Sequence, residues 1–314
     1  MFKRKTSDDG AGRKIARGSV ALTITGLVAA FGLANATPVM AAGFTEDVGS
    51  SERVNLSGQL GTLSERITAA ACNLSAGVAV TEAQAVLNIS TSHFNRINQA
   101  LLVGNRGFGI LGEETRPRTL KAIGDLSAKW EPLQEMANAT QASANDSAYV
   151  ESLANQSNPV QDEAKILVSE ITGQYADPAI MQHADALLIE IAGRQRMLSN
   201  RMSKNVCLVA SDISDEAAMA ELQETMGLFQ TSLDALQNGL PSVGLRPPPT
   251  EGIANGLNDV AAEWQAIKPT LDGFIGGQAL DEADRARLFL AFLGMEGRMN
   301  NVVHNYQKNS KQRL

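Results

Sequence analysis

The feature that most restricts the fold of this chain is an internal repeat. A shift of 135 positions places the second half on the first with matches in the same order, and a one-residue slip then aligns Trp130 with Trp264. So many ordered matches indicate two copies of one structural unit. The matching pairs include Gly58 and Gly193, Leu63 and Leu198, Ser64 and Ser199, Arg66 and Arg201, Cys72 and Cys207, and Phe94 and Phe229.

The pattern within each copy predicts four helices. Apolar residues recur at helical spacing, aromatic residues make up only 4% of the chain, and alternating β-branched runs are absent, which together favour an all-α fold. Four amphipathic helices with short connections predict a four-helix bundle in each copy. The predicted helices lie near residues 52–74, 82–103, 117–138, 147–175, 179–210, 215–238, 251–271 and 282–309. Predicted N-terminal caps are Thr81 (in a capping box with Gln84), Ser214, Thr250 and Asp281.

The first 42 residues have the pattern of an export signal. A basic leader precedes an apolar run from Val20 to about Leu33, and small residues follow up to a cleavage site after Ala41 or Ala42. The alternative is an uncleaved anchor, although the run is shorter than the ~20 residues of a spanning helix. The predicted domains are therefore the signal peptide at 1–42, repeat 1 at 43–176 and repeat 2 at 177–314. The mature protein is expected to be periplasmic and not integral to the membrane.

The charge of the mature protein limits its partners. The leader contains six of the 27 basic and two of the 34 acidic residues, so its removal leaves a net charge of −11. A strongly acidic protein is a poor partner for nucleic acid or anionic lipid.

The segment from Gly193 to Cys207 predicts a helix with two contact faces. One face is apolar and typical of a packed core, whereas the opposite face is small and polar, so that another backbone could approach it closely. Arg196 lies in the middle of this small face. The apolar face contains Ile191, Leu198, Met202, Val206 and Val209, and the small face contains Ile189, Ala192, Gly193, Arg196, Asn200, Ser203 and Cys207.

The string Gly-Arg-Gln-Arg-Met-Leu-Ser-Asn-Arg-Met-Ser-Lys at 193–204 resembles the signature of PilJ-type domains. These are the N-terminal sensory modules of type IV pili methyl-accepting chemotaxis transducers, and they are similar to the periplasmic nitrate-sensing domain of NarX-type kinases. In NarX-like sensors two identical subunits pair their first helices and hold an anion between them. The resemblance implies that Arg196 binds such an anion, with Gly193 and Asn200 beside it, and a planar guanidinium suits a small oxyanion.

The first copy departs from this pattern at the positions that would complete the site. It has Gly61 at the position of Arg196 and Glu65 at the position of Asn200, so a symmetric two-arginine clamp becomes one-sided. We expect Gly61 and Glu65 to face the site, where Glu65 could neutralise Arg196 in place of a ligand. The alternative for Arg196 is a structural ion pair or a solvated arginine, and we interpret Arg194 and Arg201 as structural.

The sequence offers no pattern for catalysis, a metal or a cofactor. His93, His183 and His304 have no ligand-type neighbours at metal spacing, and phosphate-cradling glycine loops and serine elbows are absent. We therefore expect a non-catalytic protein that binds a small anion and contacts a membrane receptor or another envelope protein. The alternative is a structural or adaptor bundle that has lost its ligand.

Cys72 and Cys207 are expected to form a disulfide. They are the chain's two cysteines, they occupy the same repeat position, and the expected compartment is oxidising. Parallel packing of the two first helices would place equivalent positions opposite each other. The alternative is that each cysteine is buried in its own bundle as an apolar residue.

Overall fold

A computed structural model describes residues 49–143, 147–175, 183–214 and 216–312 of the chain. The predicted signal peptide and the join between the two copies lie outside these ranges. Within them the structure is helical and contains no strand, which confirms the all-α prediction. The helices are α1 (Ser50–Ser75), α2 (Val80–Val103), α3 (Pro117–Ala142), α4 (Ser147–Tyr175), α5 (His183–Ala210), α6 (Glu216–Asn238), α7 (Glu251–Ile275) and α8 (Glu282–Lys311).

The connections from α2 to α3 and from α6 to α7 have the same construction. Each contains one turn of 3₁₀ helix closed by a single antiparallel bridge, between Asn105 and Ile110 in the first and between Leu240 and Leu245 in the second. In both turns the residue after the 3₁₀ segment is a glycine with positive φ, Gly109 and Gly244, and glycine adopts this conformation without a steric cost. The two connections therefore reverse the chain in the same way.

Two of the predicted helix caps are confirmed. The Thr250 side chain accepts a hydrogen bond from the Ile253 amide, and the Asp281 side chain accepts one from the Asp284 amide. The cap predicted at Thr81 is wrong, because α2 begins at Val80 after a left-handed residue and Thr81 lies inside its first turn. The residue between Ser214 and α6 lies outside the described part of the chain.

Helices α1 and α5, the first helices of the two predicted copies, lie at the centre of the described helices. α1 packs against α2, α4 and α5, and α5 packs against α1, α6 and α8. Glu65 pairs with Arg201, and further along both helices Cys72 is bonded to Cys207, so α1 and α5 run parallel. Because each has neighbours on several sides, both are buried around most of their circumference, including many polar side chains.

The predicted disulfide is confirmed. Cys72 of α1 and Cys207 of α5 are bonded, with a Cα–Cα distance of 6.1 Å, and both side chains are buried. This distance lies within the range that a disulfide requires. The bond joins α1 to α5 near the C-terminal end of both helices.

A matching aromatic pair lies in the interior of each predicted copy. Phe94 stacks on Trp130 with ring centroids 3.8 Å apart, and Phe229 packs on Trp264 at 5.0 Å. Both indole nitrogens donate to an amide oxygen of the preceding helix, Asn95 for Trp130 and Gln230 for Trp264. The tryptophans therefore anchor α3 and α7 to their bundles.

Across the described ranges, none of the helices combines the length and the apolar character that crossing a membrane requires.

Candidate functional site: a buried arginine between two helices

Arg196 lies on α5 with its side chain directed at α8. The residue is 1% exposed. Its Nη1 donates to the Asn300 Oδ1 atom at 2.8 Å, and its Nε donates to the Gly193 carbonyl at 3.3 Å. The Nη2 atom is buried and has no hydrogen-bond partner within the described residues. The guanidinium thus contacts two neutral oxygens and retains unused donor capacity.

Glu296 is the carboxylate that favours the charged form of Arg196, but its oxygens are bonded to other groups. Glu296 of α8 forms an ion pair with Arg66 at 2.8 Å and accepts a hydrogen bond from Asn200 at 3.0 Å. Burial lowers the pKa of Arg196 to about 10, with Glu296 opposing this effect and Arg66 adding to it. Arg196 is therefore charged at neutral pH, and a buried charge without a bonded counter-ion is energetically costly.

Gly193 makes room for this guanidinium. A Cβ atom at this position would lie 3.0 Å from Arg196 Nη2, which is tighter than ordinary contacts. Glycine one turn before the arginine therefore lets the side chain fold back along its own helix. Asn200 lies one turn after the arginine and donates to both the Arg196 carbonyl and Glu296. Gly193, Arg196 and Asn200 are thus brought together as the sequence predicts.

Gly61 lies apart from the contacts of Arg196. It faces α4, where a Cβ atom would meet Gln161 Oε1 at 2.6 Å. Gly61 on α1 thus faces α4 as Arg196 on α5 faces α8. We expected Gly61 to share one site with Arg196, and the structure instead gives it an environment of its own.

The expected neutralisation of Arg196 by Glu65 is wrong. Glu65 is fully buried and pairs with Arg201 Nη2 at 2.7 Å and with Lys204 Nζ at 2.9 Å. Both cations also contact Glu221 of α6, at 3.4 and 3.3 Å. Because α1 and α5 are parallel, Glu65 meets the α5 residues that follow Asn200 and leaves Arg196 free of it. This network also gives Arg201 the structural role that the sequence predicts.

Sequence reasoning missed the α8 side of the site. Glu296 and Asn300 are one helical turn apart on α8, and Glu296 is buried whereas Asn300 is exposed. A carboxylate at core spacing on an amphipathic helix is the signal that could have identified Glu296, and Asn300 gives no such signal.

A second buried cation was also missed. Arg53 is 1% exposed and donates to the carbonyl oxygens of Leu101 and Gly112, both at 3.0 Å. It also pairs with Glu114 at 3.3 Å, and Glu114 accepts a hydrogen bond from the Tyr175 hydroxyl at 2.6 Å. Unlike Arg196, this arginine has a carboxylate of its own, so its role is to hold the α2–α3 connection against α1.

Comparison with known families matches part of the chain. The model of the family described as type IV pili methyl-accepting chemotaxis transducer N-term matches residues 181–288. This range begins just before α5, includes Arg196 and ends in the second turn of α8. No curated protein matches the chain. The segment that carries Arg196 is therefore similar to the N-terminal domain of chemotaxis transducers.

Proposed function

We propose that this protein is an exported, non-catalytic sensing module that binds a small oxyanion, such as nitrate or nitrite, at Arg196. The observation that carries the proposal is the state of this guanidinium, which is buried and protonated and has, among the residues that the structure describes, no ion pair and one nitrogen without a partner. An anion bound there would supply the missing charge and accept from Nη2. The similarity of residues 181–288 to a transducer sensory domain supports the same conclusion.

We also propose how the chain is built and where it is located. The chain is a duplication of a PilJ-type, NarX-like four-helix unit, with repeat 1 at 43–176 and repeat 2 at 177–314, following a signal peptide at 1–42 that directs it to the periplasm. The parallel α1–α5 pair then stands in for the paired first helices of two subunits. In this arrangement the ligand signal passes by contact to a membrane receptor or another envelope protein.

The alternative function is a structural or adaptor bundle that no longer binds a ligand. It is favoured by the low exposure of Arg196 and by the hydrogen bond that Asn300 already provides. It also agrees with Gly61, which faces α4 and adds no second arginine to the contacts of Arg196, where NarX-like sensors use two.

A thermal-shift titration with nitrate, nitrite and other small anions separates these functions. A ligand present at 100 times its Kd stabilises the folded state by about 2.7 kcal/mol, so the midpoint should rise with anion concentration. In Arg196→Met the stem is kept and the charge removed, so the response should disappear while the ligand-free protein stays folded. Arg194→Ala is the matched control, because Arg194 is an exposed arginine of the same helix whose partner is Glu190.

Two results would contradict anion binding at Arg196. If no anion raises the midpoint of the wild-type protein, the adaptor function is the better description. If Arg196→Met keeps the full response, the anion binds at another position.

A further inference from the structure

A cleft of about 80 Å³ opens between α1, α4 and α5, away from the contacts of Arg196. The charged side chains at its rim are already paired, Glu190 with Arg194 at 3.4 Å and Lys165 with Asp162 at 2.9 Å. The interior is mainly small and apolar. It is lined by Gly58, Gly61, Ala164, Val168 and Met197.

One polar side chain inside this cleft has an unused acceptor. Gln161 of α4 is 4% exposed, lines the cleft, and has a buried Oε1 atom without a hydrogen-bond partner. Its amide lies against the backbone of Gly61, where any Cβ atom would lie 2.6 Å from Oε1. A buried acceptor that finds no partner among the described residues is costly. Because Oε1 is covered by the Gly61 backbone, a donor in the cleft reaches it when the Gln161 amide turns toward the cleft, and it then makes a hydrogen bond that the protein alone does not make.

The corresponding space of the other repeat shows what kind of group fits. Shifted by 135 positions, Gly58 corresponds to Gly193 and Gly61 to Arg196. Above Gly193 the space is filled by the Arg196 guanidinium, with Nη2 3.0 Å from the Cβ position. Above Gly58 a Cβ atom would meet nothing within 4 Å. The first repeat thus leaves open a space that the second fills with a planar nitrogen donor.

We propose that this cleft binds a small uncharged molecule that presents an N–H donor to Gln161 Oε1 and an apolar body to Val168 and Met197. Amides of short carboxylic acids have this chemistry. The neutral amide of Gln161 and the paired rim charges provide no counter-charge for an ion, so the uncharged form is preferred over a carboxylate or an ammonium group. This site is separate from the anion site, and nitrate should not compete for it.

The test uses propionamide as the probe and the Met197 methyl group as the reporter. In the purified protein with labelled methionine methyl groups, Met197→Leu identifies the Met197 resonance. Because so small a molecule binds weakly, the titration extends to about 50 mM. We expect a saturable shift of the Met197 resonance with propionamide, and no saturable shift with propionate or nitrate.

Two variants locate the effect. Gly58→Leu directs a side chain into the cleft from a position where a Cβ atom meets nothing within 4 Å, and Gln161→Met removes the acceptor at nearly constant length, so both should abolish the propionamide shift. Gly124→Leu is the matched control for the first, since Gly124 is an exposed helical glycine of α3 that also has nothing within 4 Å of its Cβ position. The thermal midpoint of each variant, measured in parallel, shows that it is folded.

Three results would overturn the proposal. No saturable shift in the wild-type protein means that the cleft does not take this class of molecule. An unchanged shift in folded Gln161→Met, or equal binding of propionate, means that donation to Gln161 is not the basis of recognition. None of these results bears on Arg196, which the anion titration tests separately.

Discussion

Glu65 shows at the scale of one residue how charges are held inside this protein. Burial alone would raise the pKa of this carboxyl group, but Lys204 and Arg201 outweigh burial and lower the pKa below its usual value of 4.5. A lowered pKa in the folded state means that the unfolded state binds the proton more readily. The stabilisation from Glu65 is therefore complete above about pH 4.5 and is lost as the pH falls through the folded-state pKa.

Glu65→Gln should lower the free energy of unfolding at neutral pH by about 3–5 kcal/mol, because it leaves two buried cations short of a counter-charge. The difference from the wild-type protein should shrink as the pH falls below about 4.5. Urea unfolding at a series of pH values measures both effects. Glu131→Gln, at an exposed position of α3, is the control and should change little. A wild-type protein and a Glu65→Gln variant with equal stability at neutral pH would contradict the role of the network.

The same residue shows how far sequence reasoning reaches into the site. The repeat aligns Glu65 with Asn200 and correctly places both on the first helices. The alignment does not specify which α5 side chains are long enough and suitably directed to reach Glu65. In the structure these side chains are Arg201 and Lys204. The Arg53–Glu114 pair was beyond sequence reasoning for a similar reason, since its members are 61 residues apart and belong to no recognisable motif.

At the scale of the helix, the apolar period predicted α1 to α8 with small differences at their ends. Helix starts were less predictable, as Thr81 and Thr250 show. Both are threonines near the start of a helical pattern, but α2 begins at Val80 after the left-handed Ala79. The Ala83 amide, which a Thr81 cap would bind, therefore already donates to the Ala79 carbonyl. Backbone conformation in the preceding turn decided the outcome, and residue type alone does not specify it.

These two threonines form a matched pair for mutation. Thr250→Ala removes the hydrogen bond to the Ile253 amide and should lower the free energy of unfolding by about 0.5–2 kcal/mol. Thr81→Ala changes an exposed first-turn residue and should stay within about 0.5 kcal/mol of the wild-type protein. Chemical denaturation of both variants provides the measurement. Equal losses in the two would contradict the assigned starts of α2 and α7.

At the scale of the whole molecule, the disulfide constrains the unfolded chain more than any local contact. Its cysteines are 135 residues apart, and closing so long a loop stabilises the folded state by up to about 5 kcal/mol in the chain-entropy model. Replacement of Cys72 and Cys207 by alanine should lower the free energy of unfolding by up to this amount. Thiol counting on unreduced, denatured protein should detect no free thiol, and two thiols per chain would contradict the bond.

The bond at Cys72 and Cys207 also determines how α1 can move against α5. A covalent link resists sliding of two parallel helices past each other by a turn, so a tilt of α1 against α5 would have its pivot at that end. Arg196 is 11 residues from the pivot, or about 16 Å along the axis, and Ser50 at the start of α1 is about twice as far away. In a tilt of α1 about the disulfide, a displacement of α1 at the level of Arg196 would be roughly doubled at the start of α1.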